Sequence, residues 1–510
     1  MKDAQAQRLA ARANNVAIKN VRTGGLSVVS RQASNFGAGA QANTADTFAV
    51  TVRIAHTNLT GKLITSIQPL HAHWGPATGT EASQTFDWKI KQAIEPTLTD
   101  QTKRIAIYYA GQSVMTIARR AAIVCDPVPI TWPAGQIRYE RTSITTTGGS
   151  GNTGRHQIAL GGSTGFGTNS GEGSSAADIV MGATASSENT NQAYSSILML
   201  GKTVDGTIAR SLANIGDSTG AGTDDQTFGS NAGGWPSRSA ASWPGSNVCI
   251  AGEKLQNAVD PNTFYTREKI VFWHTDVLDS YLINDVIQSR TVGQMQADVL
   301  AMAYSRMSIG QNYIKATCLP LTDSTNGWFD VAGQTVRANE ANRLAINTWL
   351  RDTSATGFVA QANAQVSGIP NAGVARVIDP CSFYEVNASN VLTLNGGFIQ
   401  SAQSAVLFSR TATSATTTVI TDSGATYTVN ALRGYVVHIL SGTGAGQVRS
   451  IQQNTATTIT TGLSWTTTPD ATSVYRIYDG NTTDGTHPST GGHTRITTGV
   501  KPLLDAMMVA

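Results

Sequence analysis

The chain has 510 residues, enough for two to four domains by length, and 40% of them are hydrophobic, enough for real cores. Charged residues make up only 14%, with 36 basic against 33 acidic and no polybasic run, so nothing favours a nucleic-acid partner. No stretch approaches 18 apolar residues, which argues against a membrane span, and the start Met1-Lys2-Asp3-Ala4-Gln5-Ala6-Gln7-Arg8 lacks the apolar core of a secretory signal.

Residues 1–45 are rich in Ala, Gln, Asn and Gly and read as a flexible leader, the place for virion or homo-oligomer partners to attach. Residues 46–195 change character. Phe48-Ala49-Val50-Thr51-Val52-Arg53-Ile54 alternates at period two. Arg104-Ile105-Ala106-Ile107-Tyr108-Tyr109, Val128-Pro129-Ile130-Thr131-Trp132-Pro133 and Ile137-Arg138-Tyr139-Glu140-Arg141 follow it. Short alternating runs broken by Gly, Pro and Asn predict an N-terminal β-sandwich of an accessory, carbohydrate-binding-like kind. The Gly/Ser/Thr-rich stretch 145–187 within it reads as an irregular excursion.

From residue 196 the periodicity alternates. Leu212-Ala213-Asn214-Ile215, Val277-Leu278-Asp279-Ser280-Tyr281-Leu282 and Ile314-Lys315-Ala316-Thr317-Cys318-Leu319 read as core strands. Val292, Met295, Val299, Met302 and Met307 recur at helical spacing, and Ala341, Leu344, Ala345, Thr348 and Trp349 share one face of a second helix. Strands alternating with helices predict an α/β domain with a parallel sheet and helices on both sides, over residues 196–399 and 480–510. Between these halves, residues 400–479 carry a different pattern. Thr416-Thr417-Thr418-Val419-Ile420, Tyr435-Val436-Val437-His438-Ile439-Leu440 and Val474-Tyr475-Arg476-Ile477-Tyr478 are strand-like, and Gly442-Thr443-Gly444-Ala445-Gly446-Gln447 is a turn. This predicts a small all-β insertion, similar at Gly434-Tyr435-Val436-Val437 and at the 442–447 turn to β modules of phage tail and receptor-binding proteins.

The chemistry sits at the edges of this pattern. Gly216-Asp217-Ser218 directly follows a predicted strand, and Asp484-Gly485-Thr486-His487-Pro488 lies far downstream. Acyl transfer by serine needs a hydroxyl, an imidazole to take its proton, a carboxylate to orient the imidazole, and donors for the oxyanion. Ser218, His487 and Asp484 supply the first three. Together and in order, these blocks resemble the SGNH (GDSL-type) esterases and lipases. Asn247-Val248-Cys249-Ile250-Ala251-Gly252 and Leu282-Ile283-Asn284-Asp285 resemble the family's second and third blocks, with Leu282 where glycine is usual. The resemblance implies a flavodoxin-like three-layer α/β/α catalytic domain. It also implies an oxyanion hole made by the Ser218 and Gly252 backbone N–H groups and the Asn284 side chain. No cofactor or metal is implied.

Further residues are candidates for substrate contact: Asp285 beside Asn284, Trp235 and Trp328 in loops after strands, and His493 close to His487. Other patterns carry less. Gly161-Gly162-Ser163-Thr164-Gly165 fits a nucleophile elbow but no helix can follow it. His71-Ala72-His73 lacks a third metal ligand. Cys125, Cys249, Cys318 and Cys381 have no metal-ligand spacing; the last three sit in apolar runs as buried thiols, with a disulfide left open. The expectation is an esterase removing acyl groups, acetyl foremost, from a polysaccharide, in an extracellular or virion-associated protein. A glycan-binding tail protein without turnover and an esterase of small aliphatic esters are the alternatives.

Overall fold

The computed structural model describes residues 25–31, 51–72, 76–77, 79–81, 87–96, 103–118, 120–147, 170–172, 196–226, 233–260, 262–401 and 407–509. It is a mixed α/β chain with several sheets. Two antiparallel sheets come first. One orders the strands Leu26–Val28, Leu198–Thr203, Ile64–Ala72 and Val128–Trp132, with Ala122–Val124 also on Ile64–Ala72. The other runs through Ser170–Glu172, Thr51–Thr57, Ile137–Thr147, Asp87–Glu95 and Ile105–Ile107, with Met115–Ile117 also on Asp87–Glu95. Along Val128–Trp132 buried and exposed residues alternate, as period two requires of a strand with one face covered. One hydrophobic cluster draws on both sheets, including Ile64, Ile67 and Met199 from the first and Ile90, Ile94 and Ile117 from the second.

The half after residue 210 is built on a five-stranded sheet. Its strands are β1 (Leu212–Ile215), β2 (Gly245–Asn247), β3 (Asp276–Asp279), β4 (Asn312–Ala316) and β5 (Ala375–Ile378). They lie in the order β2-β1-β3-β4-β5 and every pair is parallel. All four residues of β1 and of β3 are buried, as expected where both faces of a parallel sheet are covered. The helices are α1 (Ser218–Ala221), α2 (Gly234–Ser239), α3 (Leu255–Ala258), α4 (Thr266–Val271), α5 (Ile283–Ile287), α6 (Val292–Met307), α7 (Glu340–Arg351), α8 (Phe358–Gln365) and α9 (Thr490–Val509). Thr291 and Gln294 close a capping box at the start of α6, which buries Met295, Val299, Met302 and Met307. In the order β2-β1-β3 the strand order reverses beside β1, and in open α/β sheets the ligand crevice lies beyond the carboxyl ends of the strands at such a switch point, here β1 and β3.

Residues 408–478 form a seven-stranded antiparallel sheet with its own core, including Ile439, Ile451, Tyr475 and Ile477. Gly442, Gly444 and Gly446 have φ of +80°, +81° and +87°, and only glycine accepts three left-handed residues in so short a turn at little cost. The chain enters and leaves this sheet at neighbouring points, because Asn481 Nδ2 donates to Gln400 O at 2.6 Å. The sheet also joins the main core through Val436, Val448 and Tyr478. Arg476 Nη2 donates to Asn326 O at 2.8 Å, and the Tyr478 hydroxyl donates to Gly327 O.

Several expectations meet a different arrangement. The strand Leu26–Val28 lies inside the segment read as a leader, and Leu198–Thr203 pairs with the N-terminal strands rather than opening the parallel sheet. Helix α7 forms where its spacing predicts, but the face read as apolar is not the buried one. Ala341, Ala345 and Thr348 are exposed, and α7 buries Arg343, Ile346, Asn347, Trp349 and Leu350. Two polar residues go inside because they have partners there: Arg343 pairs with Glu385 at 2.6 Å, and Asn347 bonds both the Cys318 N–H and C=O at 2.8 Å. The four cysteines are buried and free. His73, residues 161–165 and most of 145–187 lie outside the described residues.

Candidate active site

Ser218 opens α1 directly beyond β1, at the crevice. Two glycines, Gly216 before it and Gly220 within α1, let the chain pass close against Ser280. A Cβ on Gly216 would stand 2.0 Å from Ser280 Oγ, and one on Gly220 would stand 2.4 Å from the same atom. Asp217 caps the helix, its Oδ1 accepting from Thr219 N at 3.0 Å and Thr219 Oγ1 at 2.9 Å. Its Oδ2 is buried with no hydrogen-bond partner among the described residues, and burial pushes the acid up to about 6.

The structure brings together all three residues of the predicted relay. Ser218 Oγ donates to His487 Nε2 at 2.8 Å, and His487 Nδ1–H donates to Asp484 Oδ2 at 2.6 Å. The other Asp484 oxygen, Oδ1, accepts from the backbone N–H of Thr486 and of His487, each at 2.8 Å. The three-residue spacing is thus that of a capped turn in which one carboxylate holds both the loop and the imidazole. Burial lowers the His487 pKa, but the Asp484 hydrogen bond and charge, with Asp224 and Asp217 nearby, outweigh it and hold the imidazole above its ordinary value. Burial raises the Asp484 pKa, and the bonds from His487 and the backbone more than reverse it.

The loop carrying Asp484 and His487 is braced from outside. Arg337 Nη2 donates to Asp484 O and its Nη1 to Thr486 Oγ1, both at 2.5 Å. Thr322 N–H donates to Gly485 O at 3.1 Å, and Thr482 Oγ1 donates to His487 O at 2.7 Å. Trp328 packs so closely that a Cβ on Gly485 would stand 2.7 Å from its ring. Thr483 Oγ1 donates to Asp224 Oδ2, which ties this loop to the one after α1. Arg337, Thr322 and Asp224 follow no motif, and no signal in the sequence singles them out.

Around Ser218, the residues read as oxyanion donors have the following surroundings. The N–H groups of Ser218 and Gly252 have no acceptor among the described residues. Gly252 has φ +78°. Asn284 sits in the first turn of α5 and gives one N–H of its amide to Glu253 O at 3.0 Å, and the second has no acceptor among the described residues. Leu282, in the position where the resembled family carries glycine, is buried and has φ +126°, a left-handed conformation that glycine takes without strain.

The four residues read as substrate contacts lie elsewhere. Asp285 is buried and its Oδ2 accepts from Leu255 N at 2.9 Å, holding the start of α3. Trp235 is 1% exposed and part of the main core. His493 is fully buried; its Nδ1 accepts from Trp235 N at 3.0 Å and its Nε2–H donates to Thr223 O at 3.3 Å. Burial lowers its pKa to about 4, so it is a neutral strut between α2, α9 and the loop after α1. Trp328 turns its N–H to Thr322 Oγ1 at 2.9 Å and props the Asp484 loop.

No protein-family model matches the chain, and no curated protein matches its sequence. Among solved structures it is similar to a putative GDSL-like lipase from Parabacteroides merdae ATCC 43184, at 15% identity over 33% of this chain and 88% of that one, with a TM-score of 0.21. A salicylyl-acyltransferase of a tetracycline biosynthetic pathway matches at 9% identity over 69% and 76%, with a TM-score of 0.22. A carbohydrate esterase, whose active site is described as having divergent catalytic and non-catalytic binding functions, matches at 9% identity over 70% and 89%, with a TM-score of 0.24. At these scores the matches carry no argument about function, and the reading of the site rests on its own geometry.

Proposed function

We propose that the chain is a serine esterase. Ser218 attacks the ester carbonyl while His487 Nε2 takes the hydroxyl proton. Asp484 holds the imidazole in the tautomer that leaves Nε2 as acceptor and stabilises the imidazolium once formed. The oxyanion is received by the N–H groups of Ser218 and Gly252 and the second amide N–H of Asn284. Collapse expels the alcohol, which takes its proton from His487, and leaves an acyl group on Ser218. Water, deprotonated by His487, then releases the acid. The observation that carries this reading is the unbroken relay from Ser218 to His487 to Asp484 at 2.8 and 2.6 Å, at the carboxyl end of β1.

The catalytic domain is read as a flavodoxin-like three-layer α/β/α unit over residues 196–399 and 480–510. The N-terminal sheets are read as an accessory β-sandwich, and residues 400–479 as an inserted module akin to those of phage tails. The flanking β structure favours a polymeric substrate, an O-acylated polysaccharide with acetyl as the foremost acyl group, met outside the cell or on a virion. The test is acetate release from a panel of acetylated bacterial and plant polysaccharides, with Ser218→Ala as control. Release by the wild type and none by the variant is the expected result; equal release by both overturns the assignment.

A further inference from the structure

The loop that ends at Gly252 is not held by the parallel sheet alone. Residues 79–81 of the N-terminal half reach across to it. Gly79 N–H donates to Ala251 O at 2.9 Å, and Gly79 O accepts from Asn257 Nδ2 at 3.2 Å. Gly79 has φ +78°, and a Cβ there would already touch Gly252 O at 3.4 Å. Two residues on, Glu81 is buried and accepts from the backbone N–H of Thr266 at 3.1 Å and of Arg267 at 2.9 Å, and from Arg267 Nε at 3.0 Å. The same fully buried guanidinium donates to both oxygens of Glu253, at 2.7 and 2.6 Å. Glu253 follows Gly252 directly; its carboxylate also accepts from the Tyr281 hydroxyl, and its carbonyl accepts from Asn284 Nδ2.

The geometry of the peptide unit gives this contact its meaning. The Ala251 carbonyl and the Gly252 N–H belong to one planar trans peptide and point in opposite directions. Whatever fixes the carbonyl therefore aims the N–H. Gly252 itself, with little side-chain constraint, would let that plane swing. The same chain of charges passes from Glu81 through Arg267 to Glu253, and so to the carbonyl that orients Asn284.

We propose that residues 79–81 are a positioning element for the oxyanion donors. Gly79 sets the direction of the Gly252 N–H, and Glu81, through Arg267 and Glu253, sets Gly252 and the Asn284 amide. Asn257 completes the clamp by holding Gly79. The N-terminal half thereby enters the chemistry without touching substrate. This rests on the esterase reading, and one measurement is independent of turnover. Hydrogen exchange followed by mass spectrometry on full-length Glu81→Gln, Glu81→Ala and Asn257→Ala should be faster than in the wild type in peptides spanning 250–254 and unchanged in those spanning 484–487. Unchanged exchange at 250–254 in the folded variants overturns the proposal whatever the activity.

In turnover, losing one oxyanion donor outright costs about 100–1,000-fold, which is the ceiling for misaiming it. The folded variants should lose on the order of tenfold or more in kcat within that ceiling, with KM and the acid limb of the pH profile unmoved. Glu81→Gln keeps one acceptor oxygen, enough for one of the two backbone N–H groups, and should lose less than Glu81→Ala. An unchanged kcat, a loss carried by KM, or a shifted acid limb, which would place the effect on His487, overturns it. Hydrolysis that survives Ser218→Ala would instead count against the esterase reading, with the exchange result still standing.

Discussion

Ser218 is 6% exposed and its hydroxyl is turned to His487. Ser218→Ala is expected to lower turnover by several orders of magnitude with folding intact, measured as acetate release beside a thermal melt. The pH dependence follows from the imidazole. His487 works as base only when neutral, and its pKa is held above the ordinary histidine value, so activity should rise with pH through a midpoint above that value. Asp484→Asn removes the charge that holds it there; the acid limb should then move to lower pH while the plateau falls, because the wrong tautomer is favoured. A limb that stays put in the variant would mean another group titrates. Asp217 gives a second pH signature. Its folded pKa of about 6 lies above the unfolded value, so the folded state binds the extra proton and gains stability as pH falls from above 6 toward 4. Asp217→Asn, compared with wild type by urea melts across that window, should remove this slope. Asn284→Ala should lose about 100–1,000-fold in kcat with little change in KM; a loss confined to KM would assign it to ground-state binding.

At the scale of elements, α5 begins on a strained residue. Leu282 has φ +126° and is fully buried. Left-handed backbone costs a side-chain-bearing residue about 1–3 kcal/mol, whereas burial of a leucine is worth about 2–5 kcal/mol by truncation, so the packing wins and the strain is tolerated. The expected order of stability in denaturant melts is therefore leucine, then Leu282→Gly, then Leu282→Ala, since alanine loses the packing and keeps the strain. This reverses the usual order of alanine over glycine in regular structure. The same element scale shows what the sequence carries and what it does not. β1, β3 and β4 are legible as short, largely apolar runs, and α6 because its apolar residues repeat at helical spacing. The buried face of α7 is not, because Arg343 and Asn347 go inside on account of Glu385 and the Cys318 backbone, partners that no local window contains. The relay is legible because Asp484 and His487 share one turn. Trp235 misleads because a loop-like composition says nothing of burial, and His493 because nearness to His487 in sequence says nothing of which way a side chain faces; both are buried.

At the scale of the whole molecule, the seven-stranded sheet is coupled to the site through a short path. Arg476 and Tyr478 grip the backbone at Asn326 and Gly327, the adjacent Trp328 packs under Gly485, and Arg337 holds Asp484 and Thr486. Replacing residues 408–478 by a short Gly/Ser linker should therefore lower activity on a small aryl acetate together with activity on an acetylated polysaccharide. Loss on the polymer alone would make the module a substrate guide rather than a brace. Arg476→Ala is the milder version of the same comparison and should shift both activities in parallel.

The relay joins residues 269 positions apart, with the nucleophile made first and its base near the last helix. At a synthesis rate of about 5–20 residues per second, roughly 13 to 54 seconds separate the appearance of Ser218 from that of His487. Throughout that interval the nascent chain carries a serine with no base, and it cannot attack an ester it meets while still being made. A chain cut short before Asp484 keeps every strand of the parallel sheet and leaves the Ser218 hydroxyl without its imidazole partner. On the esterase reading, the Ser218 hydroxyl acquires its base only once the Asp484 loop has been made and has folded against it.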